Sequence, residues 1–175
     1  MKAMIMFNNR TLFNKESWRI FKICMTAFVV MAVAIEASLS IGQVFFLGWK
    51  LSPSIPGHFF IVIRHAAWRR GDLVAFIPSK TRYGEGTSWW MKYVMGVSGD
   101  DVVVQGNRIW VHGYDCGVMQ DKAYDGQKLT WQKSHRIPPG FVFVWGTNPR
   151  SFDSRYQQVG LIHETSILGR GILVF

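Results

Sequence analysis

Between Lys22 and Lys50 the chain carries 27 consecutive residues with a single charge, Glu36, and no other stretch restricts its fold as strongly. A helix of about 20 apolar residues is enough to cross the hydrocarbon core of a bilayer. Trp18 and Trp49 stand near the two ends of the run, where amphipathic rings favour the headgroup layer. Residues 23–49 therefore predict one transmembrane helix. The rival reading is a cleaved secretory signal with Ile35-Glu36-Ala37 as its processing site, but the run outlasts the roughly 7–15 apolar residues of a signal. Glu36 is costly in lipid and reads as a structural or partner-facing group.

Up to Lys22 the bases Lys2, Arg10, Lys15, Arg19 and Lys22 face one acid, Glu16. Such an arm stays on the cytoplasmic side. It puts everything after Trp49 outside the cytoplasmic membrane, which in a double-membraned bacterium is the periplasm. Three parts follow: a cytoplasmic basic arm at 1–22, a transmembrane helix at 23–49, and an extracytoplasmic domain at 50–175. That domain is long enough for one core. It is basic, yet no Lys/Arg run exceeds two residues, at Arg69-Arg70. The pattern argues against nucleic acid and for attraction to anionic headgroups. Cys24 and Cys116 fall in different compartments, so they form no intramolecular disulfide. No Cys or His pair has metal-ligand spacing, and nothing implies a metal or other cofactor.

Beyond the span the pattern is one of short strands between turn signals. Phe59 to Ile63, Leu73 to Ile77, Trp89 to Met95, Val102 to Val104, Ile109 to His112, Phe141 to Trp145 and Ile167 to Phe175 read as strands, with 113–136 a weakly patterned insertion. Regular short strands predict a mostly β domain, sandwich or barrel.

Three stretches carry candidate chemistry. Ser54 sits between Pro53 and Pro56, which fix φ on both sides and forbid a helix. Five residues beyond Trp49, it lies within roughly 17 Å of the headgroup layer even when extended. Taken alone the stretch is equally a linker turn. In the strand around Lys92, alternation puts Trp90, Lys92 and Val94 on one face. Burial there lowers a lysine pKa toward the range of a general base, whereas a lysine on an edge strand reaches out to water. The loop after Trp145 holds Ser151, Asp153, Ser154 and Arg155. Asp153 and Arg155 form a candidate ion pair, and Ser151 or Ser154 a hydrogen-bond partner for a neutral lysine. A Ser-His site built on His58, His65, His112, His135 or His163 is disfavoured, since no Gly-x-Ser-x-Gly surrounds a serine. Trp89, Trp90 and the pair Phe59-Phe60 suggest that part of the domain dips into the headgroups.

Ser52-Pro53-Ser54 after a span, Arg70-Gly71-Asp72-Leu73-Val74, Lys92-Tyr93-Val94-Met95-Gly96-Val97-Ser98-Gly99-Asp100 and Ser151-Phe152-Asp153-Ser154-Arg155 resemble, in order and spacing, the boxes of the type I signal peptidase family. Within it the chain is most similar to the conjugative-transfer peptidases that mature pilin subunits, whose nucleophile box reads Ser-Pro-Ser-x-Pro, as at 52–56. It departs from the general family in having Ile55 and Pro56 after the serine, Thr147 within Gly146-Thr147-Asn148, and Ser98 in the lysine box. The first two departures favour the pilin-processing branch.

The resemblance implies a signal-peptidase-like β domain with a Ser/Lys dyad: Ser54 the nucleophile, Lys92 the general base, Ser52 an oxyanion-hole hydroxyl, Ser151 the residue orienting the lysine, and Asp153 with Arg155 a supporting pair. The expected activity is that of a membrane-anchored serine endopeptidase acting on a membrane-inserted precursor, the propilin of a conjugative type IV secretion pilus. Cyclisation of the product is a further option, and components of the secretion apparatus are expected partners alongside the lipid bilayer. A general signal peptidase acting on many exported proteins is the alternative, and a non-catalytic membrane component of the conjugation apparatus the third.

Overall fold

The computed structural model describes residues 15–49, 53–78 and 89–174. Ser52, most of the basic arm and residues 79–88 lie outside the described residues.

Two units divide the chain, residues 1–42 and 43–175. The first contributes most of helix α1 (Lys15–Val44), none of whose residues is buried within the protein. It is long and apolar enough to cross a membrane. Its C-terminal limit differs from the expected one: the last five residues of the apolar run are strand β1 (Phe45–Trp49), not helix. The cause is pairing, because β1 runs antiparallel to β2 (Phe59–Arg64), with Phe45 opposite Ile63 and Trp49 opposite Phe59. An apolar run long enough for lipid is equally good strand material when a partner edge is at hand.

The second unit is built from two antiparallel sheets. The larger has seven strands in the order β1-β2-β11-β3-β4-β9-β10, adding β3 (Leu73–Phe76), β4 (Trp90–Gly96), β9 (Phe141–Trp145), β10 (Ile162–His163) and β11 (Ile167–Leu173). The smaller is β7-β6-β5-β8, from β5 (Asp101–Gln105), β6 (Arg108–Val111), β7 (Tyr114–Val118) and β8 (His135–Arg136). The mostly β expectation holds, but 113–136 is less an insertion than a pair of strands joined by an ordered excursion. Gly and Asp in Tyr114–Val118 mask its alternation, and the strand is recovered by pairing with β6.

Three apolar clusters fill the unit. One joins the small sheet to β9 through Val102, Ile109, Val111, Ile137, Phe143 and Tyr156. Another packs Val74, Phe76, Val94, Val142 and Val144 with Ile162. The smallest, Ile55, Phe60 and Leu73, roots the stretch that bears Ser54. Of the aromatics expected at the surface, Phe60 is instead in the core, and Trp90 packs edge-on to Phe76 and Phe152 at about 6 Å. The exposed apolar residues on this side are Leu47, Trp49, Ile172, Leu173 and Val174.

The register of β11 against β2 and β3 depends on glycine. A Cβ at Gly169, beside the bulge between Ile167 and Gly169, would collide with the carbonyl oxygen of Ile63 and crowd the Arg64 Cα, main-chain atoms that cannot swing aside as a side chain can. Gly169→Ala is expected to cost about 1–3 kcal/mol, as overpacking does, and to lower the melting temperature by about 5 °C or more. A thermal melt of the purified variant checks this.

Candidate active site

Lys92 is in β4, which lies between β3 and β9 rather than at an edge. Val74 pairs with it across one side, and the neighbouring residues Tyr93 and Val94 pair with Trp145 and Val144 across the other. On β4 every second residue, Lys92, Val94 and Gly96, is buried. A central strand denies the side chain a route to water, so the residue is only 5% exposed. Burial pulls its pKa from 10.5 down to about 8, with the Asp153 charge opposing this and the Arg155 charge assisting it. About a tenth of the lysines are then neutral at pH 7.

The Lys92 Nζ donates to Ser151 Oγ at 3.0 Å, and when the amine is neutral the hydroxyl can turn and donate in return. Of the two serines expected to meet the lysine, Ser151 does. Ser154 is used elsewhere: its Oγ accepts from Val144 N at 3.1 Å, and its own N–H donates to Val144 O. The loop is thereby stitched to β9.

Asp153 and Arg155 are buried together. The Arg155 Nε and Nη2 donate to the two carboxylate oxygens, each at 2.9 Å. The rest of the guanidinium reaches main-chain carbonyls, Cys116 and Pro149 from Nη1 and Asn148 and Ser151 from Nη2, at 3.0–3.4 Å. Burial works against the guanidinium charge, but the carboxylate outweighs it and holds its pKa above the ordinary value. Asp153 Oδ2 also accepts from Gly146 N at 2.9 Å. All of these contacts but one shape a single loop, and the one to the Cys116 carbonyl ties that loop to β7.

That loop holds the Ser54 turn. Asn148 N donates to Ser54 O at 3.3 Å, and Ser151 N returns to Asn148 O at 2.9 Å. Gly146 is where the two parts come closest: a Cβ there would strike Ser151 Oγ and lie 2.7 Å from Ser54 O. Beneath the serine, Ile55 is buried against Phe60 and Leu73. Ser54 itself is half-buried and lines the same cavity of about 860 Å³ as Lys92 and Ser151. One cavity so offers a hydroxyl and a low-pKa amine, which is what nucleophile activation by a neutral base requires. Sequence reasoning noted Ile55, Gly146 and Asn148 only as members of boxes and gave them no part in where Ser54 sits, although each packs against or bonds to the Ser54 turn. The glycine directly after the strongest strand was the available signal. Among the described residues no group of His, Cys, Asp or Glu could hold a metal ion.

Keeping Lys92 dry has a cost. Between pH 8 and 10.5 the unfolded lysine holds a proton that the folded one lacks, so stability rises with pH across that window. Below pH 8 the folded state bears the whole penalty, about 3 kcal/mol for the shift to about 8. Lys92→Met removes the charge while leaving Ser151 one partner short. The variant is expected to be more stable than the wild type by about 2 kcal/mol at pH 7, with the gain shrinking as pH approaches 10.5. Urea unfolding at the two pH values measures this.

Comparison with known proteins adds the family. A family model described as "Signal peptidase, peptidase S26" matches residues 17–175. Among solved structures, a signal peptidase I from Enterococcus faecalis V583 is 21% identical, with 60% of this chain and 97% of that one covered and a TM-score of 0.40. No curated protein matches the sequence.

Proposed function

The chain belongs to the S26 signal peptidase family, a family of serine-type endopeptidases that process membrane-inserted precursors, and on that premise we propose that it works through a Ser54/Lys92 dyad on the propilin of a conjugative type IV secretion pilus. The observation that carries the dyad is a buried lysine with its pKa near 8, hydrogen-bonded to Ser151 in the cavity that also holds Ser54.

In this reading Ser54 Oγ attacks the scissile carbonyl as its proton passes to the neutral Lys92 amine. The C–N bond then breaks, Lys92 hands the proton to the leaving amine, and the acyl group stays on Ser54. Water repeats the sequence: its oxygen attacks the ester, Lys92 takes its proton, and Ser54 Oγ recovers it as the acid departs. If an amine of the same substrate replaces water, the product is cyclic. The oxyanion is assigned to the Ser54 N–H and, by its place in the Ser52-Pro53-Ser54 box, to the Ser52 hydroxyl. Such donors contribute a few kcal/mol. Ser151 holds the lysine, and Asp153 with Arg155 holds Ser151.

The propilin assignment rests on the box Ser52-Pro53-Ser54-Ile55-Pro56, which resembles that of pilin-maturing peptidases. The general signal peptidase reading fits family membership equally well, and substrate range separates them. The apolar helix makes this a single-pass membrane protein, and the basic arm supports a catalytic domain on the periplasmic side of a bacterial inner membrane.

Intact mass spectrometry of the pilin from cells carrying wild type or Ser54→Ala tests the proposal. Trimming is expected only with the wild type, and a product lighter by one water than the trimmed linear chain marks cyclisation. Unchanged pilin, with many exported precursors accumulating instead, favours the general peptidase. Lys92→Arg is expected to be as inactive as Lys92→Ala, because arginine stays protonated. For the wild type, kcat/KM is expected to rise with pH through about 8 as the lysine loses its proton. A rate that is flat from pH 6 to 9, or an active arginine variant, removes Lys92 as the base.

A further inference from the structure

The cavity around Ser54 is chemically lopsided. Toward β1 its wall is apolar, formed by Trp49, Phe60, Trp89 and Met91, with the Trp89 ring laid on Gly48 and edge-on to Phe46 at 5.1 Å. The lining also includes two cations, Lys122 and Arg150, together with Tyr124.

The segment that bears Lys122 has a fixed backbone. Ala123 N donates to Gln127 O at 2.9 Å and Leu129 N to Asp121 O at 2.8 Å, so residues 121–129 make a small hairpin, with Lys122 bridged to Lys128. Leu129 is buried, and Gln120 is held at both main-chain ends: its N–H donates to Tyr156 Oη at 3.0 Å and its carbonyl accepts from Trp131 Nε1 at 3.1 Å. Arg150 is fixed as well. Its N–H donates to Asn148 Oδ1 at 2.8 Å, and its guanidinium lies 5.2 Å over the Tyr124 ring. It directly precedes Ser151, the partner of Lys92, so the two Cα atoms are about 3.8 Å apart. Among the described residues neither Lys122 nor Arg150 makes an ion pair. The acid in the same lining, Asp125, has one carboxylate oxygen accepting from Gln127 N at 3.1 Å within its own turn.

Two exposed cations on a rim are ordinarily a solvated surface, and each then changes binding only severalfold. Here three features argue for more. Stacking on Tyr124 aligns the arginine fork, which suits a planar carboxylate. The backbone that bears the lysine is ordered before any ligand arrives, so only side-chain freedom is lost on binding. A peptide filling the cavity would also displace the water that screens both charges.

We propose that Lys122 and Arg150 form a subsite for a carboxylate of the substrate, in the same cavity as Ser54, Lys92 and the apolar wall. This deepens the peptidase reading and rests on it. The ligand is either an Asp or Glu side chain near the scissile bond or the C-terminal carboxylate of a precursor cut a few residues from its end.

The test uses the full chain in neutral detergent, where no anionic lipid contributes. Peptides of one sequence carry a single Glu, or Gln as control, at each position on both sides of the cleaved bond, with the C-terminus free or amidated. At low salt one or two adjacent positions are expected to show kcat/KM about tenfold higher for Glu than for Gln. That ratio should fall below twofold in the double variant K122Q/R150Q and invert in favour of Gln in K122E/R150E. If the terminal carboxylate is the ligand, the free and amidated peptides differ instead, and Glu scanning shows nothing. Cleaved peptides with ratios near one in every arm, or an undiminished Glu preference in the double variant, overturn the subsite while leaving the peptidase intact. Binding of the same labelled peptides to Ser54→Ala reads the subsite without chemistry. Cleavage undiminished in Ser54→Ala instead sinks the assigned nucleophile, whatever the charge readout.

Discussion

The buried pair of Arg155 and Asp153 is what the rest of the site depends on. A charge taken out of water is tolerable only when its partner and all its hydrogen bonds are in place. Arg155 meets that condition with the carboxylate of Asp153 and four carbonyls drawn from Cys116, Asn148, Pro149 and Ser151. Three of those carbonyls belong to the loop that carries Ser151 and touches Ser54. The loop is thereby specified from within by one guanidinium rather than by secondary structure. Its two contacts outward, Asn148 N to Ser54 O and Ser151 Oγ to Lys92 Nζ, then fix the turn and the amine relative to one another. A buried ion pair is weak evidence for stability as such, but here its geometry is transmitted to two side chains that a reaction would need in register.

The same pair sets the electrostatics around Lys92. Asp153 alone would favour the ammonium, and Arg155 alone would oppose it, so the two together leave the amine with an environment dominated by desolvation. Placing the lysine on the central strand β4 completes this, because a flexible stem at an edge would simply reach water. The free energy that burial withholds from the ammonium is what brings its pKa to about 8. Stability is given up for protonation chemistry at the same residue, the usual direction of compromise at a functional site.

Much of this was legible in the sequence, and the misses have physical causes. Short apolar runs between turn signals located β2, β3, β4 and β9 to within a residue or two, and the ion-pair partners Asp153 and Arg155 were visible as near neighbours of opposite sign. What strand alternation could not say is whether β4 is central or at an edge, since that is decided by β3 and β9 closing on it from distant parts of the chain. The end of the apolar run was misread for a related reason. Phe45-Phe46-Leu47-Gly48-Trp49 suits lipid and sheet alike, and only the edge offered by β2 chooses between them. The hairpin at 121–129 left no periodic signal, because it is held by main-chain bonds and one buried leucine rather than by an apolar face.

That hairpin changes what kind of recognition the domain can perform. A cavity lined by tryptophan, phenylalanine and methionine alone selects weakly, since each methylene is worth little and position along an extended peptide is degenerate. Cations in the same cavity break that degeneracy: only one register of the peptide satisfies the apolar side and the cations together. The Ser54 turn, the lysine and Arg150 are all tied to the short segment 146–151, so they share one frame. Discrimination of this type costs the site nothing in the lysine environment, because Lys122 and Arg150 stand at the solvent side of the cavity while Lys92 stays enclosed by β3 and β9.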